Sequence, residues 1–269
     1  MVDEMVLQAQ NWLNATYTGR YGYNEIVPDG KTGWQTMTRA LQIELGIGEP
    51  SDNFGNGTLG ALVTYGNIGK NQNNSNANIV KIIQSALFCK GYNSGAITGT
   101  FGDNTEQAII NLKTDIGLVN PNGDVTPKVF KALLTMDAYV LLKDTPLSRK
   151  IRTIQQWLNN RYNHRTNFFF KPCDGIFSRG THTALIYAIQ YEEGLSDAVA
   201  NGNFGPTTKS NLPILSVGSS DNTTKFVHLL QAALCFNGYE VDFDGVFGNG
   251  TKGNGKKGDE NLGRTGVRW

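Results

Sequence analysis

Apolar side chains recur along this chain at helical spacing, in stretches that come back in the same order. Residues 6–17, VLQAQNWLNATY, line up Val6, Ala9, Leu13 and Tyr17, and residues 151–162, IRTIQQWLNNRY, repeat the stripe with Ile151, Ile154, Leu158 and Tyr162. Gln10 aligns with Gln155, and both stretches contain WLN. A second pair, 79–92 and 226–239, sets Ile79, Ile82, Ile83, Ala86 and Leu87 opposite Phe226, Leu229, Leu230, Ala233 and Leu234. Gly91-Tyr92 and Gly238-Tyr239 close these helices, since glycine tolerates the left-handed cap. Further helical stripes run through Met37, Ala40, Leu41 and Leu45, through Leu59, Leu62 and Val63, through Ala108, Ile109, Leu112 and Ile116, and through Ala184, Leu185, Ala188 and Ile189. Strand signals are scarce, so the pattern predicts an all-α protein.

Between the stripes lies a recurring turn: SDNFGNGT at 51–58, ITGTFGDNT at 97–105, NGNFGPTT at 201–208 and FDGVFGNGT at 243–251. PDGKTGW at 28–34 and PCDGIFSRGT at 172–181 stand at the corresponding place in the longer units. Asx with Gly suits a tight turn. Phe anchors the loop on a core, and Thr is expected to cap the helix that follows. Thr126-Pro127 is a favourable helix start of another kind, with Thr at the cap and Pro at the first helical position.

The order is long unit, short unit, long unit, short unit, with a double period of roughly 145 to 150 residues. It predicts tandem three-helix repeats in two lobes. The first spans 1–140, with a long repeat at 5–66 and a short one at 78–137; the second spans 148–251, with a long repeat at 148–215 and a partial short one at 224–251. Residues 252–269 then form a Gly-rich basic tail without apolar periodicity, expected to be flexible and to leave the last repeat incomplete.

Composition narrows the function classes. The formal net charge is +1, so no strong field draws the chain to nucleic acid or to an acidic membrane surface. No stretch approaches the roughly twenty apolar residues of a membrane span. Of the three cysteines, Cys89 and Cys235 lie on apolar stripes and read as buried free thiols, whereas Cys173 sits before a turn. The opening MVDEMVLQAQ has neither the basic start nor the apolar run of a signal peptide, so work outside the cell would need another release route or a leader outside this sequence.

Helix ending in GY, then DGxFGxxT, then a helix ending in GL (IGL at 116–118, EGL at 193–195), resembles the peptidoglycan-binding three-helix repeat of bacterial and phage cell-wall proteins. The long units, with WLN, DGKTGW, LQIELGI and SDNFGNGT, are similar to repeats that accompany a glycoside-hydrolase-like domain in Gram-positive proteins. The resemblance covers roughly residues 5–251. It implies non-covalent, non-catalytic attachment to peptidoglycan glycan strands or stem peptides, as the targeting module of an endolysin-like lytic system. It further implies an extracellular or wall-associated location, with association with a hydrolase domain or self-association.

Catalytic chemistry finds little support in the residues. His164, His182 and His228 are far apart with no HExxH spacing, so no metal and no cofactor are implied. Glu192 and Glu193 are adjacent on one helix and point about a hundred degrees apart, unlike two carboxylates facing across a glycosidic bond. Asp242 and Asp244 flank Phe243 as turn residues. For binding, Trp34, in a loop off the helical stripes, is the first candidate for sugar stacking. Tyr23, Asp29, Tyr92, Asp174 and Arg179 lie near the turns and could line a groove, though turn-building and capping explain them as well. Trp12 and Trp157 flank apolar stripes and read as core packing. Two other readings stay open: a peptidoglycan hydrolase of glycosidase or amidase type, whole or truncated, and an assembly protein using the repeats for protein contacts.

Overall fold

The computed structural model describes residues 3–31, 35–73, 75–135 and 139–254. Among them the regular elements are all helices, with isolated bridges at Ile68–Val125 and Ser220–Val246 and no strand. It divides into two compact units, Met1–Asp115 with Val119–Asp137, and Ile116–Leu118 with Ala138–Trp269. The first holds α1 (Glu4–Tyr17), α2 (Gln35–Glu44), α3 (Asn56–Tyr65), α4 (Ala77–Cys89), α5 (Asp103–Ile116) and α6 (Pro127–Leu133). The second holds α7 (Pro146–Tyr162), α8 (Arg179–Glu192), α9 (Pro206–Asn211), α10 (Phe226–Phe236) and α11 (Asn249–Asn254). Within the units α1, α2 and α4 pack on one another, as do α7, α8 and α10.

The predicted stripes of α1 and α7 are buried: Val6, Ala9, Leu13 and Tyr17 in one, Ile151, Ile154, Leu158 and Tyr162 in the other. Each large aliphatic among them contributes about 1.5–3 kcal/mol through burial. Asp3 caps α1 by accepting from Met5 N–H and Val6 N–H, and Thr145 and Ser148 form a reciprocal capping box at α7. The stripe expected through α3 holds only in part. Leu62 is buried, but Leu59 is half-buried and Val63 is exposed, because a single face of this helix meets the core.

What fastens each turn is a glutamine buried in the preceding helix. Gln155 Nε2 donates to Asp174 Oδ1 (3.0 Å), to Ile176 O (3.0 Å) and to Thr181 Oγ1 (3.3 Å), while its Oε1 accepts from Gly175 N (3.0 Å). Gln10 holds Asp29, Gly30 and Lys31 in the same way, and Gln231 holds Asp244, Gly245 and Val246. Gln84, Gln42 and Gln190 clasp Thr105, Thr58 and Thr208 across their turns. The Lys31 N–H and the Gln10 amide hold the Asp29 carboxyl below the usual range, and Gln231 and the Val246 N–H do so for Asp244.

These bonds correct the part expected of Thr. Gly55 and Gly205 occupy the caps of α3 and α9 without side-chain bonds, and Ser178 caps α8 by accepting from Thr181 N–H. Thr58, Thr105, Thr181 and Thr208 stand inside their helices, where each hydroxyl meets a glutamine. The phenylalanines divide: Phe54, Phe101 and Phe247 are buried anchors, whereas Phe177 and Phe204 are partly exposed.

The thiols also rearrange. Cys173 and Cys235 are buried and Cys89 is half-buried, yet burial pushes the Cys89 thiol up to about 12. Because the thiolate is the nucleophile, native Cys89 should react with a disulfide reagent at pH 8 far more slowly than in urea. Equal rates in the two states would refute its shielding.

Candidate functional site

The two units build the same side-chain chain along one helix seam. In the first, Trp12 stands beside the buried stripe of α1, edge-on to Tyr17, with ring centroids 5.9 Å apart and an interplanar angle of 81°. Tyr17 Oη donates to Glu44 Oε1 at 2.9 Å. Glu44 also accepts from Asn76 Nδ2 and Asn78 Nδ2, each at 2.8 Å, which ties the end of α2 to the start of α4. One turn further along α4, Lys81 Nζ lies 5.6 Å from the centroid of the Trp12 ring.

The second unit repeats this link by link. Trp157 is edge-on to Tyr162 at 6.0 Å and 84°, and Tyr162 Oη donates to Glu192 Oε1 at 2.7 Å. Glu192 Oε2 accepts from Lys225 N at the start of α10 (3.0 Å). His228, aligned with Lys81, stacks on Trp157 at 5.1 Å with the rings 8° from parallel. Phe243 meets both rings edge-on. Burial, then the adjacent glutamate, raise both tyrosine hydroxyls far above the usual phenol range, so Tyr17 and Tyr162 remain donors.

His228 is held more tightly than Lys81. Asp221 accepts from the N–H groups of Val227 (2.8 Å) and His228 (3.0 Å), and its Oδ2 lies 2.6 Å from His228 Nδ1. Burial would raise the Asp221 carboxyl, but these bonds, the His228 side chain first, hold it below the usual carboxylate range. The imidazole lies against the Gly245 turn, where φ is +74° and a Cβ would come within 2.3 Å of His228 Cε1. Only glycine satisfies both conditions there.

The residues named from the sequence are spread over the turns rather than gathered at these seams. Asp29 Oδ1 and Asp174 Oδ1 accept from Gln10 and Gln155 inside their turns. Tyr23 donates to Asn14 Oδ1 at 2.9 Å and tilts against Tyr17, and burial pushes its hydroxyl up to about 12. Tyr92 donates to Asp115 Oδ2 at 2.8 Å, and Arg179 is exposed in the first turn of α8. Trp34 lies outside the described residues. The seam residues Glu44, Glu192, Lys81 and His228 went unread as a set. Their signal was present in the alignment of 79–92 with 226–239, which sets Lys81 opposite His228.

No group of three or more His, Cys, Asp or Glu able to hold a metal stands together among the described residues. Burial raises the Glu193 carboxyl, the kind of shift a general acid needs. Both its oxygens are closed to solvent, so this acid offers no surface to a glycosidic oxygen.

Comparison with known proteins follows the same division. Residues 76–133 match the family described as "Putative peptidoglycan binding domain", and residues 146–247 match the family described as "FadG/YbfG, PGDB-like domain". The chain is 59% identical over 249 residues to the uncharacterized protein FadG of Bacillus subtilis (strain 168), an alignment covering 91% of this chain and 43% of that protein. It is 47% identical over 256 residues to the uncharacterized protein YbfG of the same strain, covering 93% of this chain and 34% of that protein. The chain thus spans less than half the length of either relative. No solved structure matches it.

Proposed function

The chain belongs to a peptidoglycan-binding helical family, and on that premise we propose that it docks on bacterial cell-wall peptidoglycan without cleaving it, as the targeting module of a lytic system. The observation that carries this reading is the match of residues 76–133, which span α4, α5 and α6, to the peptidoglycan-binding domain family. The closure of Glu193 to solvent favours binding over hydrolysis. The likeness between the units favours two wall contacts per chain, with avidity where both engage. Each unit would present its own ligand face of seam and neighbouring turns, with Tyr23, Asp29 and Tyr92 contributing in the first and Asp174 and Arg179 in the second, and Trp34 stays a candidate for sugar stacking. The protein works outside the cell or on the wall, beside a hydrolase domain. No helix among the described residues is long and apolar enough to cross a membrane.

Co-sedimentation with purified peptidoglycan sacculi, with soluble muropeptides assayed in the supernatant, tests the proposal. The expected result is pelleting without release, with at least half of the pelleted fraction lost when both Trp12 and Trp157 become Phe. Release of muropeptides would overturn the non-catalytic reading in favour of a hydrolase. Neither pelleting nor release would overturn wall binding and favour an assembly protein.

A further inference from the structure

We infer that the Trp12–Lys81 seam of the first unit is a subsite for a free carboxylate of the wall glycopeptide, with the indole as an apolar shelf and the ammonium as the anion's partner. This rests on the peptidoglycan-binding reading and names the group that the ligand must present.

The donor inventory comes first. Trp12 and Lys81 are both half-buried, and among the described residues neither the indole N–H nor the ammonium has a hydrogen-bond partner. Indole N–H and ammonium only donate, so the group that satisfies both must accept, and a carboxylate does so with charge assistance. The nearest acid in the seam, Glu44, is committed to Tyr17, Asn76 and Asn78. Among the described residues that commitment leaves Lys81 as a cation over the indole face with no acid paired to it.

The second observation is recurrence. The second unit rebuilds the tryptophan, the tyrosine, the glutamate and the first turn of the next helix, and again sets a nitrogen base on the indole. Packing alone would be served by any apolar side chain at position 81 or 228. In both units a polar tip occupies it instead, while the residue type differs. In the second unit Asp221 supplies the base with a carboxylate from within the chain, directly against His228 Nδ1. Among the described residues Lys81 has no internal acid in that role, and the proposed subsite is the place where the ligand supplies one.

Calorimetric titration of the full chain with N-acetylmuramoyl-L-alanyl-D-isoglutamine, which has one free carboxylate, and with its carboxamide tests this. The wild type is expected to bind the acid about tenfold more tightly than the amide, the size of one charge-assisted hydrogen bond. Lys81→Gln should bind both equally weakly with an unchanged melting temperature, and Lys209→Gln, at an exposed site on α9 outside the seams, should keep the discrimination. Equal binding of acid and amide by the wild type, binding of neither, or discrimination surviving in Lys81→Gln would each overturn the subsite. If sacculi still pelleted with the wild type, the wall-binding reading would stand without it; if they did not, both would fall.

Discussion

Replacing Gln155 by Leu lowers the stability of the second unit by about 3 kcal/mol, because one side chain bonds several groups of the turn at once, the buried Gly175 N–H among them. Its Oε1 is the acceptor for Gly175 N–H, which is buried, and its Nε2 bonds Asp174, Ile176 and Thr181 at once. Leucine fills a similar volume, so the loss measures desolvated polar groups rather than a cavity. The turn cannot relax to recover them, since φ at Gly175 is +75° and Ser148 O lies 2.6 Å from where a Cβ would stand. Urea unfolding should show the loss, together with a fall in Tm on the order of 10 °C. Thr153→Ala, at an exposed site on the same helix, should move neither by more than about 0.5 kcal/mol. A loss below about 1 kcal/mol for Gln155→Leu would show that the glutamine is not the fastening of the turn.

This fastening explains how much of the molecule was legible in its sequence. Helix positions followed from apolar spacing, because hydrophobic burial acts residue by residue and leaves its period in the chain. The recurrence of Phe-Gly and Thr marked the turns for the same reason. The glutamines were harder to read, because a polar residue within an apolar stripe looks like a lapse in the pattern until its partners, some eleven to twenty-odd residues on, are brought against it. Gln10 and Gln155 did align, and Gln42, Gln84, Gln190 and Gln231 interrupt their stripes likewise. A threonine hydroxyl near a helix start has two partners within reach, the cap amides and a buried glutamine, and only the fold decides between them. The seams were hidden for a similar reason: Trp12 and Trp157 flank the stripes as packing residues do, and each one's base comes from a helix some seventy residues away in sequence.

The glutamine rule also identifies the position that breaks it, and the break has a pH signature. Gln42 and Gln190 lie four residues before the positive-φ glycines Gly46 and Gly194 that close their helices, and the residue at that step before Gly117 is Lys113. The threonine expected across the turn is replaced by Val129, so the acceptor hydroxyl of the other sites is missing as well. Lys113 is buried, and its Nζ donates to Asn122 O (3.0 Å) and Asn122 Oδ1 (2.7 Å). Burial, only partly offset by Asp124, lowers its ammonium to about 8. In the unfolded chain the same group titrates near 10.4. The unfolded state therefore binds the proton more strongly, and stability must rise with pH between about 8 and 10.4. The full span is worth on the order of 3 kcal/mol. Below pH 8 the penalty of the buried charge is present in full. Above pH 10 the raised tyrosines, Tyr17 in this unit, act in the opposite sense, because their unfolded forms then ionise first. The clean measurement is thus a difference between two chains. Lys113→Gln, which restores the residue found at the other sites, should be more stable than the wild type at pH 7, and the gap should close as pH approaches 10. Adding Val129→Thr to it should stabilise further at every pH, by returning the hydroxyl that Gln42 and Gln190 find in Thr58 and Thr208. Parallel pH profiles for wild type and Lys113→Gln would mean that Lys113 keeps its proton in the folded core, with Asp124 and Asn122 compensating the charge there.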